Sequence, residues 1–220
     1  MNENTIEETK DIGRGVSYLI PKRIIDIVGG IVGCILLIPI TIFVKIAYLL
    51  TGDFGPIFFS QIRIGKNGKL IKIYKFRSMI MNADEVLKQM LEKDDDLARE
   101  YKRFKKFSND PRVTKVGKII RKTSIDEFPQ FINVLKGEMS LVGPRPYLPR
   151  EKEDMGEYYN TIIKCKPGVT GYWQVNGRSG TDFVQRLVLD EYYYNVRCLV
   201  MDTKILLKTI LKVFKKEGAK

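Results

Sequence analysis

The run Ile27–Val44, IVGGIVGCILLIPITIFV, carries no charged side chain, and it constrains the fold of this chain more than any other feature. As a straight helix rising ~1.5 Å per residue it would extend roughly 27 Å, close to the ~30 Å hydrocarbon thickness of a bilayer. It begins behind a leader of mixed acidic and basic residues, and no small-residue cleavage site follows it. A membrane element therefore fits better than a cleaved signal peptide. Pro39 lies inside the run; a proline there removes a backbone donor and costs a helix about 3 kcal/mol or more, usually as a kink. Lys22 and Arg23 precede the run, and Lys45, Arg63, Lys66, Lys69 and Lys72 follow it. Basic residues at both ends set no orientation across a membrane. A kinked spanning helix and a re-entrant helix that breaks at Pro39 and returns to the same face both satisfy this pattern.

The 220 residues allow one domain of ordinary size beside that element, and a hydrophobic share of 44% supports a packed core. The formal charge of +12 favours an anionic partner: nucleic acid, acidic headgroups or a phosphorylated substrate. The chain has no histidine. Ser-His-Asp and Cys-His nucleophile systems and most transition-metal sites are thereby excluded, which leaves carboxylates, Lys, Arg, Tyr or a hard cation for any catalysis. Cys34, Cys165 and Cys198 lack paired spacing, so neither a disulfide framework nor a zinc knuckle is expected, and a reducing compartment fits.

Beyond the apolar run, Gly52, Gly55 and Pro56 mark a turn. The runs IFFSQIRIG and KLIKIYKFRSM, joined through Asn67-Gly68, predict a β-hairpin. Strand alternation puts Ile71, Ile73, Lys75 and Arg77 on one face, where the two cations either meet an anion or are solvated. Residues 82–107 read as a charged helix or helix pair with Asn82 as cap. The Asp94-Asp95-Asp96 triplet within it reads as a solvated helix face, although it superficially resembles a metal-binding triplet of nucleotide-sugar enzymes. At the C-terminus, Lys204, Lys208 and Lys212 recur every four residues opposite Ile205, Leu206, Ile210, Leu211, Val213 and Phe214. That pattern suits a basic amphipathic helix, lying in the headgroup plane or packed on the core.

The adjacent carboxylates Asp126 and Glu127 stand at an expected helix start. Ser124-Ile125-Asp126-Glu127 has the form of a capping box, which would explain Glu127 structurally. Pro129 argues for Asp126 as the cap instead, since it would then fall in the first turn, and Gly137 should close the helix. A carboxylate so placed can cap, bind a metal or attack phosphorus. Arg121 and Lys122 can hold phosphate oxygens. Arg145 sits between two prolines in a rigid turn, and the segment 166–178 is Gly-rich, with Trp173 and Arg178.

Taken together, KFRSM, DPRVTKVGKIIRKTSIDEFPQFINVLKGEMSLVGPRP and KPGVTGYWQVNGRS resemble the bacterial sugar transferase family, the monotopic polyprenol-phosphate phosphoglycosyl transferases, over nearly the whole chain. The resemblance implies a re-entrant helix broken at Pro39, with Lys22 and Arg23 at its cytoplasmic end. It implies an Asp126-Glu127 dyad acting with Mg²⁺ in a ping-pong reaction. Asp126 would attack the β-phosphorus of a UDP-sugar, UMP would leave, and undecaprenyl phosphate would then take the phosphosugar. Lys75, Arg121 and Arg145 match positions that bind substrate phosphate or nucleotide; Arg77 and Arg178 are further candidates. Asp202 matches an acidic residue near the site and is a candidate metal ligand with Asp126 and Glu127, or else a helix-end charge. The chain resembles the small form of the family, and Tyr172-Trp173 resembles members that use galactose or glucose.

The expected architecture is therefore α+β and monotopic: a leader (1–21), a re-entrant membrane helix (22–50), a catalytic domain with a small β-hairpin (51–198) and an interfacial amphipathic helix (199–220). The expected place is the cytoplasmic face of a bacterial plasma membrane, with membrane lipids as partners, no nucleic acid, and a homodimer left open. Two other functions compete: a one-step glycosyltransferase using Asp94–Asp96, which would release UDP, and a non-enzymatic basic module tethered to a membrane.

Overall fold

The computed structural model describes residues 15–177 and 181–215, with side chains to residue 212. Its first element, α1 (Val16–Leu50), runs uninterrupted through Pro21 and Pro39. The expected break of the helix at Pro39 is therefore corrected to a continuous helix. Pro39 removes one backbone donor, but packing along α1 supplies what local hydrogen bonding lacks. Two residues on, the Thr41 hydroxyl donates to the Leu37 carbonyl at 2.7 Å.

That packing follows a single stripe: Tyr18, Asp26, Gly30, Gly33, Leu37, Val44 and Tyr48 are buried, at helical spacing. A side chain on Gly30 or Gly33 would collide with Leu135 or with the Phe131 ring, so these glycines let the α1 backbone approach the domain closely. The opposite surface is apolar and exposed, including Ile24, Ile31, Ile35, Ile38, Ile42 and Phe43. Among the described residues, α1 is the one helix long and apolar enough to cross a membrane by length and composition.

Strands β1 (Phe58–Ile64) and β2 (Leu70–Phe76) form the expected antiparallel hairpin, with Gln61 opposite Ile73 and Arg63 opposite Ile71. Asn67 and Gly68 take φ of 56° and 76° within the five-residue connection 65–69, left-handed values that Asn and Gly adopt more readily than other residues. The charged segment forms two helices, α2 (Ala83–Lys93) and α3 (Asp95–Phe104). Asn82 precedes α2 without a side-chain cap bond, whereas the Asp94 carboxylate caps α3 by accepting from the Asp96 and Leu97 N–H groups at 2.9 and 3.0 Å.

Helix α4 (Lys115–Lys122) is capped by Thr114, whose hydroxyl accepts from Gly117 N–H. After it come a 3₁₀ turn (Ile125–Gln130), α5 (Phe131–Leu135) and strand β3 (Ser140–Val142). The short helices α6 (Lys152–Met155) and α7 (Tyr158–Ile162) lead to β4 (Gly168–Thr170), which pairs in parallel with β3. Helices α8 (Tyr172–Asn176), α9 (Phe183–Val196) and α10 (Leu199–Lys215) complete the chain. The mixture of helix with two small sheets agrees with the α+β expectation.

Ile71, Ile73, Val134, Met139, Leu141, Val142, Tyr193 and Ile205 join hairpin, β3, α9 and α10 in one core cluster. A second cluster packs Leu37, Val44 and Tyr48 of α1 on Phe76, Val116 and Ile120. The apolar residues of α10 divide between two faces rather than lying together opposite the lysines. Ile205 is buried, while Val200, Leu207, Ile210 and Leu211 are exposed. Lys208 and Lys212 reach back to Asn176 and Gln174.

Candidate active site

The carboxylate pair does not begin an α-helix. Ser124 adopts a left-handed backbone (φ 56°) and its side chain caps nothing, so the capping-box alternative is absent. The expected Asp126 cap is corrected too, because Gln130 precedes the α-helix. Asp126 and Glu127 lie inside the 3₁₀ turn, and α-helical structure starts only at Phe131. Pro129 has no N–H to give an α-helical bond, so the regular helix begins after it. Gly137, with φ of 78°, stands just beyond the end of α5 as expected.

Cations from four separate elements act on this turn. Lys75 Nζ, from the end of β2, lies 2.7 Å from Glu127 Oε1, and both side chains are partly exposed. Arg121, from the end of α4, donates through Nε to Ser78 Oγ at 2.8 Å and lowers the pKa of Asp126 through its charge. Arg145 and Arg63 act in the same way on Glu127. The two carboxylates are pushed in opposite directions. Burial and the neighbouring Glu127 charge raise Asp126 to about 6, with Lys75 and Arg121 opposing. Burial also acts to raise Glu127, but Lys75, Arg145 and Arg63 outweigh it and hold that carboxyl below its usual range.

Arg145 is held from behind: its N–H donates to Asp190 Oδ2 at 3.0 Å, and the Tyr147 hydroxyl donates to the same oxygen at 2.8 Å. The Arg145 guanidinium lies 5.9 Å from the Trp173 ring centre, and that of Arg186 lies 5.2 Å from it. Arg77 is placed differently. It is buried, and its guanidinium donates to the Pro56 and Met79 carbonyls and to Asp53 Oδ1, over the Tyr48 ring. Its protein partners account for it without a ligand. Arg178 lies outside the described residues.

Nor does the structure bring Asp202 to the pair. Its buried carboxylate receives Lys22 Nζ at 2.6 Å, Tyr193 OH at 2.7 Å and Tyr18 OH at 3.0 Å. Lys22 thereby ties the start of α1 to α10. Arg23 donates to the Val134 and Leu135 carbonyls at the C-terminal end of α5, a favourable place for a cation. Asp96 pairs with Arg99 in the open, and with Asp94 used as a cap the triplet builds no site.

Among the described residues, no three His, Cys, Asp or Glu side chains gather to hold a metal. Two adjacent carboxylates nevertheless fit Mg²⁺, which commonly takes one or two protein carboxylates and fills its octahedron with water and substrate phosphate. Asp126 and Glu127 are the residues that would hold it.

Sequence reasoning missed Arg63, Asp190 and Arg186. Arg63 was within reach, because the Asn67-Gly68 hairpin register sets it opposite Ile71, on the face that carries Lys75. Its guanidinium is buried, donates to the Pro146 carbonyl at 2.9 Å and has a pKa pushed down to about 10 by burial and by Arg145. Asp190 and Arg186 carried no local signal.

The description bacterial sugar transferase belongs to a family model that matches residues 17–216. The chain is 45% identical over 198 residues to an undecaprenyl-phosphate galactose phosphotransferase of Salmonella typhimurium, covering 90% of this chain and 41% of that protein. It is 40% identical to a UDP-glucose:undecaprenyl-phosphate glucose-1-phosphate transferase of Escherichia coli K12, covering 93% of this chain and 42% of the other. An exopolysaccharide production protein, ExoY, of Sinorhizobium fredii is 37% identical, with 91% and 88% covered. The chain thus spans about two fifths of the Salmonella and E. coli proteins and most of the Sinorhizobium one.

Proposed function

Since the chain belongs to the bacterial sugar transferase family, we propose that it transfers a sugar-1-phosphate from a UDP-sugar to undecaprenyl phosphate, the first membrane step in making a surface glycan such as an exopolysaccharide, capsule or O-antigen. The observation that carries the reading is the Asp126–Glu127 turn, two carboxylates with divergent pKa values set among Lys75, Arg63, Arg121 and Arg145. When environments push two carboxyl groups apart, their roles separate. Asp126, the more basic, is the nucleophile. Glu127, kept ionised by Lys75, orients and balances charge.

The reaction runs in two displacements. A carboxylate oxygen of Asp126 bonds to the β-phosphorus of the UDP-sugar while the bridging bond to the α-phosphate breaks, and UMP leaves with that electron pair. A phosphosugar-aspartyl ester remains. A phosphate oxygen of undecaprenyl phosphate then bonds to the same phosphorus, and the bond to Asp126 breaks, giving the diphosphate-linked lipid and free carboxylate. Positioning and electrostatics supply most of the rate in such transfers, so the work of Lys75, Arg121 and Arg145 is to hold phosphate oxygens in line. Bound Mg²⁺ would supply further charge neutralisation at those oxygens.

A monotopic placement at the cytoplasmic face is part of this reading. A straight helix of this length would run about 52 Å. Yet Lys22 and Arg23 near its start, and Tyr48 near its end, all bond to the same domain. Contacts along the whole of α1 favour a helix laid into one leaflet over one that leaves the domain behind to cross.

Incubation with a UDP-sugar labelled in the sugar tests the reaction. Label on the protein, loss of label in Asp126→Asn and release of UMP are expected. Release of UDP, or labelling that survives in Asp126→Asn, refutes the nucleophile assignment.

A further inference from the structure

A cavity of about 150 Å³ lies where the first half of α1 meets β3 and the segment between α7 and β4. Six cationic side chains reach its wall, Lys22, Arg23, Lys66, Lys164, Lys166 and Arg197, against one carboxylate, Asp26. None of the residues acting on the Asp126–Glu127 turn lines it.

Parts of this charge are already answered. Lys22 pairs with Asp202, Arg23 donates to the α5 carbonyls, and Asp26 Oδ1 accepts from Ser140 Oγ and Leu141 N–H. The ammonium groups of Lys66 and Lys166 have neither a hydrogen bond nor an ion pair with the protein among the described residues. Burial and the charges of Arg23, Lys66 and Lys22 push the Lys166 ammonium below its usual pKa, with Asp26 opposing. Like charges gathered around a concave, low-dielectric space focus a positive potential into it. Lysines and arginines converging on one point match the oxygens of a phosphate group.

The neighbourhood of the cavity is lipid-like. Leu19 lines it while remaining 57% exposed, and Val16, Ile20 and Ile24 continue the exposed apolar surface of α1 beside it. We infer that this cavity binds a phosphate-bearing anion at a site separate from the carboxylate turn, and that its occupant is the phosphate headgroup of an anionic membrane lipid whose acyl chains lie along α1. Such a lipid is neither substrate of the proposed transfer. It would fix the depth and rotation of α1 in the membrane, as polar headgroup anchors do.

The test uses the full chain, purified in detergent and stripped of lipid. Dioleoylphosphatidylglycerol, the phosphatidylcholine with the same chains, and inorganic phosphate are compared by native mass spectrometry and by thermal shift. Retention of phosphatidylglycerol with a raised melting temperature, and not of phosphatidylcholine, is expected. The Lys66→Gln/Lys166→Gln double variant should weaken that retention about 30-fold, the effect of losing two basic contacts at a lipid surface. Lys66→Glu alone, at an exposed position, gives the same direction if the double variant folds poorly. Equal retention of both lipids, or affinity unchanged in both variants, overturns the site. Protection by inorganic phosphate as strong as that by phosphatidylglycerol overturns the lipid as occupant in favour of a free anion. A double variant that raises the KM for undecaprenyl phosphate while keeping phosphatidylglycerol overturns the separation from the acceptor site.

Discussion

Lys22 Nζ stands 2.6 Å from Asp202 Oδ2, joining the apolar first helix to the last one across almost the whole chain. The two side chains are 17% and 6% exposed, and Tyr18 and Tyr193 donate to the same carboxylate. Removing one partner of a buried pair leaves the other charge uncompensated, which costs about 3 kcal/mol. Asp202→Asn should therefore lower the unfolding temperature in micelles markedly while leaving Mg²⁺ affinity unchanged. A variant of normal stability that had lost Mg²⁺ binding would return Asp202 to the metal site.

Lys75 is expected to matter through Glu127. Its ammonium is the largest influence that offsets burial of that carboxyl. Lys75→Met should slow formation of the labelled aspartyl species about 100-fold, the usual scale for losing one positioned charge next to transferring phosphate. Lys75→Arg should recover part of the rate, and the melting temperatures of both should stay near that of the parent, because the pair is partly exposed. Full activity in Lys75→Met would remove Lys75 from the site.

The raised pKa of Asp126 sets an acid limit on the first displacement. A nucleophilic carboxylate must be ionised, and with a value of about 6 it is increasingly protonated below that pH. kcat/KM for UMP release should rise with pH up to about 6 and then level, reporting the free enzyme. The apparent value belongs to the Asp126–Glu127 pair as a unit. Because Lys75 lowers the pKa of Asp126, Lys75→Met should move this limb to higher pH. A limb that stays in place would mean that another group sets it.

What the chain showed in advance was local. Asn67-Gly68 between alternating strands and Gly137 after α5 are each decided by a few neighbouring residues. Pro129 rightly counted against a Ser124-x-x-Glu127 capping box, but its missing N–H delays the α-helix to Phe131, so Asp126 is not the cap either. Lys75 stood on the right face, and Arg77 shared that face, but a loop carboxylate, Asp53, and backbone carbonyls close around Arg77. Asp190 holding Arg145, and Asp26 holding β3, are pairings across long stretches of chain. Only the packed structure creates them, so no periodicity or spacing signals them.

Asp190 itself yields the sharpest stability test. It is fully buried, and burial raises its pKa to about 7 despite hydrogen bonds from Arg145 N–H and Tyr147 OH. An unfolded aspartate titrates near its ordinary 3.8. Between about 4 and 7 the folded state therefore binds more protons than the unfolded state, and stability must fall as pH rises through that window and level above it. An asparagine in its place would keep an oxygen to accept both hydrogen bonds but carry no charge to bury. Asp190→Asn should match the parent near pH 4 and exceed its stability at pH 8 by roughly 2–4 kcal/mol, as unfolding in micelles would measure. Asp190→Leu, which cannot accept from Arg145 N–H, should lose transferase activity at both pH values. A parent whose stability does not change between pH 4 and 8 would show that Asp190 stays ionised in the fold.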